Sequence, residues 1–154
     1  MAETVITAQQ RAADYEQTRA YNQAQLLPDS PRRALGAVMA SVADADTSAA
    51  CFLFTDPAQA QLATAFNAPD CPAAVLAWTE EVTRPNDYDL SPELLGIEAT
   101  LSPDRETATV TGCGLRWFSP LDGDQPDAGP DSPGRFQVRR VLGLGYEITD
   151  YRTC

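Results

Sequence analysis

The sequence predicts an α+β domain in which N-terminal helices pack on an antiparallel sheet of about four strands. Up to about residue 83, apolar residues recur with the 3.6-residue period of a helix, and from about residue 95 they alternate as in a strand. Segments rich in Pro, Asp and Ser separate these runs. A chain of 154 residues is long enough for one domain with a sizeable core.

The first 29 residues are predicted to form a polar helical stalk or linker ahead of a folded domain at residues 30–154. Residues 4–26 favour a helix because they are rich in Ala and Gln and contain neither Gly nor Pro. Their apolar positions are mostly Ala, with Tyr15 and Tyr21, so any buried stripe along this helix is thin.

The domain is predicted to open with helices. Ser30 is a good N-cap and Pro31 a good first helical residue, and the helix that they start is predicted to run to about Ala45. Its apolar residues form one buried face: Leu35, Val38, Met39 and Val42. Further helical segments are predicted at residues 48–54, 56–66 and 70–83. In the last of these, Cys71 shares the buried face with Trp78.

Strands are predicted from residue 95 onward. Apolar residues alternate with polar ones from Leu95 to Leu101, and residues 107–118, 135–142 and 146–151 are rich in Thr, Val and aromatic side chains. Residues 143–145 form the predicted hairpin turn between the last two strands.

Residues 119–134 hold four Pro, four Asp and three Gly, which predicts a mobile, solvated loop. Asp122, Asp124 and Asp127 in this loop suggest calcium ligands. However, Pro126 stands where the third EF-hand ligand should be, and no Glu follows at the required distance. We therefore expect neither a metal nor a cofactor.

The four cysteines are predicted to form two disulfides. They include no C-x-x-C pair and the chain has no His, so a structural zinc site is disfavoured. Of the three pairings, the most local is Cys51–Cys71 with Cys113–Cys154, which places one bridge among the helices and one in the sheet. Disulfides indicate an oxidising, extracytoplasmic compartment. Four buried, reduced thiols in a cytosolic protein are the alternative.

The chain carries a formal charge of −11, with 22 acidic residues against 11 basic ones, all of them Arg. A field of this sign repels nucleic acid and anionic membranes, so a protein partner or a small ligand is expected. No apolar run approaches the roughly 18 residues of a membrane span. Residues 1–4 lack the features of a signal peptide. With disulfides, the native precursor is expected to carry an export signal or membrane anchor upstream.

Three features together resemble the NTF2-like (cystatin-like, cone-shaped α+β) superfamily, in particular its exported bacterial lipoproteins and membrane-anchored proteins. The predicted helix at 31–45 runs into residues 46–51, and Cys51 and Cys71 flank residues 56–70. Residues 145–148, Gly-Tyr-Glu-Ile, lie in the final strand, where members of this superfamily frequently have Gly-x-Trp-x-Val. The resemblance covers residues 31–154. It implies a curved sheet around a helix, with a pocket at the wide end of the cone.

The resemblance also implies that an enzyme of this fold would use a pocket Asp or His, often with a Tyr as proton donor. Since the chain has no His, the remaining catalytic candidates are Asp87, Tyr88, Asp89, Asp150 and Tyr151. Asp150 alternates with Ile148, which would direct its carboxylate into the cone, where burial raises a carboxyl pKa. An Asp that makes a turn hydrogen bond at a strand end is the commoner arrangement.

The candidates for ligand binding are Trp78, Trp117, Tyr146 and Arg116. Core packing is the alternative for the aromatic residues. Four arginines gather in the predicted strands, where they can bind an anion bidentately or pair with acidic neighbours: Arg116, Arg135, Arg139 and Arg140. We expect a non-catalytic extracytoplasmic interaction or ligand-binding module, anchored through its N-terminal segment. Partner candidates include a second copy docked through the sheet face. The alternative is a small-molecule isomerase or lyase.

Overall fold

The computed structural model describes residues 7–88 and 94–154, apart from the side chains of Leu94 and Leu95. The helices are α1 (Ala8–Gln25), α2 (Pro31–Ala43), α3 (Thr47–Phe52), α4 (Asp56–Ala65), α5 (Cys71–Glu80) and α6 (Pro85–Tyr88). The strands are β1 (Leu94–Leu101), β2 (Thr107–Ser119), β3 (Gly123–Gln125), β4 (Gly134–Val141) and β5 (Gly145–Arg152). Helices thus precede an open antiparallel sheet, which confirms the α+β class.

The sheet has five strands in the described residues, in the order β1-β2-β4-β5, with β3 paired to the end of β2. β2 is long enough to pair with two strands along one edge: residues 107–112 pair with β4, and residues 117–119 pair with β3. The prediction of about four strands missed β3, which lies inside the segment assigned to a loop. A run of three residues is too short for alternation to reveal it.

Helix α2 forms the centre of the core between the sheet and helices α3, α5 and α6. It contacts β1, β2, β4 and β5, and the four residues of its predicted face are at most 1% exposed: Leu35, Val38, Met39 and Val42. The helix begins at Pro31 as predicted, and the Ser30 hydroxyl oxygen accepts a hydrogen bond from the Arg33 amide at 3.2 Å.

Helix α1 exposes nearly its whole surface, and Ala24 is its one buried residue. A capping box between Thr7 and Gln10 fixes its start. The helix meets the domain only near its C-terminal end, where Leu27 packs against the core and the Pro28 carbonyl oxygen accepts a backbone hydrogen bond from β5. This arrangement agrees with the thin apolar stripe of the sequence.

The second half of the predicted loop, residues 126–133, is fastened to the domain. Ala128 is fully buried, and its carbonyl oxygen accepts hydrogen bonds from the amides of Thr83 (2.8 Å) and Arg84 (2.9 Å). The loop thus engages the backbone that follows α5, and α5 ends at Glu80, before the predicted residue 83. The prediction of a wholly solvated loop was wrong for this segment.

Two disulfides bridge the domain. Cys51–Cys71 joins α3 to the first residue of α5, and Cys113–Cys154 joins β2 to the residues that follow β5. This is the pairing that the sequence favours, and none of the four cysteines is free. Two bridges indicate an oxidising environment. Within residues 7–88 and 94–154, no helix combines the length and apolarity needed to cross a membrane.

Candidate functional site

Tyr88, a catalytic candidate, has no exposed surface. Its hydroxyl group accepts the indole N–H of Trp78 at 2.9 Å and donates to the carbonyl oxygen of Pro130 at 2.9 Å. Burial raises the pKa of Tyr88 well above its ordinary value. The hydroxyl therefore stays protonated, and its one proton is used to hold the 126–133 segment.

The two tryptophans offered as ligand-binding candidates belong to the aromatic cluster around Tyr88. Trp78 stacks on Phe66 and Trp117 stacks on Tyr88, each with ring centroids 5.8 Å apart. The indole N–H of Trp117 donates to the backbone carbonyl of Asp87 at 2.8 Å. Trp78 is 1% exposed and Trp117 is 4% exposed, so both rings fill the core.

Tyr151 and Tyr146 are also buried, with hydroxyl groups that donate to backbone carbonyl oxygens. The partner of Tyr151 is Pro133 at 2.7 Å, so a second tyrosine holds the 126–133 segment. Burial raises the pKa of Tyr151 to about 12. Tyr146 donates to the carbonyl oxygen of Arg105 at 3.0 Å, and Arg105 lies in the turn between β1 and β2. Each hydroxyl proton already has an acceptor within the protein.

Asp150 lies on the outer face of the sheet, which we define as the face turned away from α2. Asp150 does not take the inward position that strict alternation with Ile148 would give it, because β5 contains a bulge. Gln137 pairs with Asp150 and Val138 with Ile148, which leaves Thr149 as an extra residue. The bulge shifts the alternation by one, so that Tyr151 takes the buried position and Asp150 the half-buried outer one.

The Asp150 carboxylate has two partners. One oxygen accepts a hydrogen bond from the side-chain amide of Gln61 at 2.8 Å, and the other pairs with the Arg152 guanidinium Nε at 3.1 Å. The side-chain carbonyl of Gln61 in turn accepts the backbone N–H of Tyr151 at 2.7 Å. Gln61, which the sequence did not single out, thus ties α4 to the edge of β5. Gln61 is half-buried, and a single Gln in an Ala-rich helix gave no signal of this role in the sequence.

The structure does not bring the catalytic candidates together. The Asp150 carboxylate is on the outer face, whereas the hydroxyl groups of Tyr88 and Tyr151 are buried on the inner side. Asp87 forms an exposed ion pair with Arg84 at 3.3 Å. Asp89 lies outside the described residues.

The fourth ligand-binding candidate, Arg116, is exposed on β2 and stands beside Leu95 of β1 in the register. It is therefore separated along the strand from the arginines that β4 and β5 contribute. Arg139 forms an exposed ion pair with Glu147 across these two strands, and Arg140 donates to the Gly143 carbonyl oxygen in the hairpin turn.

Three concave features of the described surface are open hollows. One of about 470 Å³ lies between α4 and the end of β5. Two others, of about 320 Å³ and 280 Å³, lie on the outer face. We call the last of these the arginine hollow; it is lined by Thr109, Arg135, Phe136, Gln137, Asp150 and Arg152.

The arginine hollow depends on a pairing that the sequence hides. Arg135 stands directly opposite Arg152 in the β4–β5 register. Counting outward from the hairpin turn would pair Arg135 with Tyr151, because only the bulge at Thr149 brings Arg152 into line. Arg135 was noted from the sequence, but Arg152 was not.

No protein-family model matches the chain, and no curated protein is significantly similar to it in sequence. Within the part of the chain that the structure describes, no group of three or more Asp, Glu, Cys or His side chains could hold a metal ion. Function is therefore inferred from the geometry of the chain itself.

Proposed function

We propose that the chain is a non-catalytic extracytoplasmic module that acts through its surface on a protein partner or a small ligand. This proposal rests on the hydrogen bonds and positions of the candidate active-site groups. The hydroxyl groups of Tyr88 and Tyr151 donate to backbone carbonyl oxygens inside the protein, and Asp150 is on the opposite face of the sheet. An acid–base pair would need these groups at one substrate.

We also infer that the domain is an NTF2-like cone. In support, helices precede an antiparallel sheet, and α2 packs against four of its strands. In a cone with a pocket, the wide end would need free space among the inner aromatic side chains. Here Trp78 and Trp117 are buried and are both joined to Tyr88, one by a hydrogen bond and the other by a ring stack, which favours a module that binds at its surface.

The extracytoplasmic location is supported by the two disulfides, and attachment through the N-terminal segment is supported by α1. Structural disulfides persist in oxidising compartments and are rare in the cytosol. Helix α1 has a side-chain cap at its start and almost no buried surface, as expected for a stalk that separates the domain from an anchor.

The first experiment tests the filled interior. The indole N–H signals of Trp78 and Trp117 are followed by NMR while the oxidised protein is titrated with a library of small polar and apolar compounds. We expect shifts at surface amides only, with both indole signals unchanged. A compound that saturably shifts both indole signals would reveal a pocket among the aromatic residues and would favour the isomerase or lyase alternative.

The second experiment tests the location. Cells that make the protein naturally are quenched with acid and alkylated, and the modified cysteines are counted before and after reduction. We expect no alkylation of Cys51, Cys71, Cys113 or Cys154 before reduction, and recovery of the protein in the envelope or secreted fraction. Four alkylated thiols in the cytosolic fraction would overturn the proposal.

A further inference from the structure

We propose that the arginine hollow binds an oxyanion group, either a carboxylate or a phosphate, of a small ligand through the guanidinium groups of Arg135 and Arg152. The inference rests on the proposed ligand-binding function and names the ligand chemistry.

The first support is the direct opposition of two positive charges. Arg135 and Arg152 occupy paired positions on β4 and β5, and both are exposed. Like charges directly opposite each other on an antiparallel pair destabilise a sheet. A bound anion between the two side chains would remove this repulsion.

The second support is that these charges are only partly compensated. Asp150 pairs with Arg152 through Nε alone and shares its carboxylate with Gln61. The terminal amino groups of Arg152 and the whole guanidinium of Arg135 have no hydrogen bond or ion pair to the described residues. Two guanidinium cations therefore stand beside one carboxylate. Because Asp150 binds Arg152 through Nε, the terminal N–H groups of Arg152 remain available to a ligand. Paired N–H donors of this kind match the oxygens of a carboxylate or phosphate.

The third support is the lining of the hollow. In the neighbouring row of the sheet, Thr109 pairs with Gln137, which pairs with Asp150. A hydroxyl group and a side-chain amide thus stand beside the arginines as further hydrogen-bond donors. The volume of about 280 Å³ suits an oxyanion group and a few attached atoms.

The net charge of −11 opposes anion binding at long range. At an ionic strength of about 0.15 M, however, charges more than roughly 8 Å away are largely screened. Binding must then come from direct contacts in the hollow, and changing the net charge elsewhere should have little effect.

The experiment titrates the oxidised full chain with inorganic phosphate and, separately, with malonate, at constant ionic strength. We expect saturable NMR shifts at the amides of Arg135, Gln137 and Arg152, with a dissociation constant of about 1–10 mM or tighter for at least one anion. Saturation by phosphate alone identifies a phosphate ligand, by malonate alone a carboxylate ligand, and by both a general oxyanion site; each outcome supports the proposal.

Two variants make the test specific to the hollow. Arg135→Gln is expected to weaken binding at least tenfold, while its thermal stability without anion is unchanged or higher because a like-charge contact is removed. Arg19→Gln on exposed α1 changes the net charge equally and is expected to bind as the unmodified chain does.

The inference is overturned if neither anion gives saturable shifts up to about 50 mM, a concentration well above the expected dissociation constant. It is also overturned if binding survives Arg135→Gln or falls equally in Arg19→Gln. These results would not contradict the proposed function, because that proposal is tested separately by the indole signals and by the alkylation of the cysteines.

Discussion

The Tyr88 hydroxyl group joins three parts of the molecule, because it links Trp78 of α5 and Pro130 of the loop to α6. Replacing Tyr88 with Phe keeps the ring stack on Trp117 but leaves the buried indole N–H of Trp78 and the half-buried carbonyl group of Pro130 without this partner. The buried indole N–H left unpaired costs about 1–3 kcal/mol and the half-buried carbonyl group about 1 kcal/mol, so we expect Tyr88→Phe to lower the free energy of unfolding by about 2–4 kcal/mol. Urea unfolding followed by tryptophan fluorescence measures this change.

Two other Tyr→Phe substitutions calibrate the experiment. Tyr151→Phe removes the bond to Pro133 alone and should cost about 1–2 kcal/mol. Tyr15 is 68% exposed on α1, so Tyr15→Phe should have no measurable effect. If Tyr88→Phe costs no more than Tyr15→Phe, the hydroxyl does not fasten the loop.

Tyr88 and Tyr151 also predict how stability depends on pH. Their pKa values are raised in the folded protein by burial, to about 12 for Tyr151, against 10.0 in an unfolded chain. Ionisation therefore favours unfolding, so the contribution of each residue is fully present below about pH 10. That of Tyr151 is lost as the pH rises through 12, and that of Tyr88 at still higher pH. We expect tyrosinate absorbance to show these two residues ionising together with unfolding. Their gradual ionisation in a protein that stays folded would contradict this prediction.

At the scale of single residues, it was easier to predict which side chains are buried than which face of the sheet a side chain lies on. Helical periodicity placed Val38 and Trp78 in the core correctly, because one helix face must be apolar throughout. In β5, one extra residue reversed the direction of Asp150 and brought Arg152 opposite Arg135. A bulge has no strong signature when the residue concerned is Thr149, so the outer-face site could not be derived from alternation.

Among the secondary-structure elements, α1 allows the clearest prediction about stability, because it is long and capped but buries almost none of its surface. Deleting residues 1–22 while keeping Ala24, Leu27 and Pro28 should change the free energy of unfolding by no more than about 0.5 kcal/mol, as for other surface changes. Leu27→Ala in the full chain is the control, and it should cost about 1–3 kcal/mol because Leu27 packs on the core.

Circular dichroism and urea unfolding of the two variants measure the difference. A loss above about 2 kcal/mol on deletion, comparable with a core truncation, would mean that α1 packs on the domain.

The helices and long strands were predictable from local sequence, whereas the 126–133 segment was not. Its Pro, Asp and Gly content is typical of solvated loops, yet the side chains and backbone that hold it come from α6, β2 and β5. Gly129 shows the closeness of this contact, since a Cβ atom there would lie 2.7 Å from the Tyr88 ring. Contacts between residues so distant in sequence leave no local pattern.

At the scale of the whole molecule, the disulfides tie together regions that share no continuous element. Cys51–Cys71 spans 20 residues of the helical half, and Cys113–Cys154 spans 41 residues of the sheet half. Because each bridge is local to its half, its removal should act on that half first. The pairing could be predicted because the change of periodicity near residue 90 divides the chain between the two cysteine pairs.

The two bridges supply a large share of the expected stability. In the chain-entropy model, the longer loop is worth about 4 kcal/mol and the shorter about 3 kcal/mol. A domain typically has about 5–15 kcal/mol in total. We therefore expect the double substitution Cys113→Ala and Cys154→Ala to destabilise more than Cys51→Ala with Cys71→Ala, and full reduction to leave a marginal fold. Urea unfolding of both variants and of the reduced chain tests this order. A reduced chain as stable as the oxidised one would show that the fold does not need an oxidising compartment.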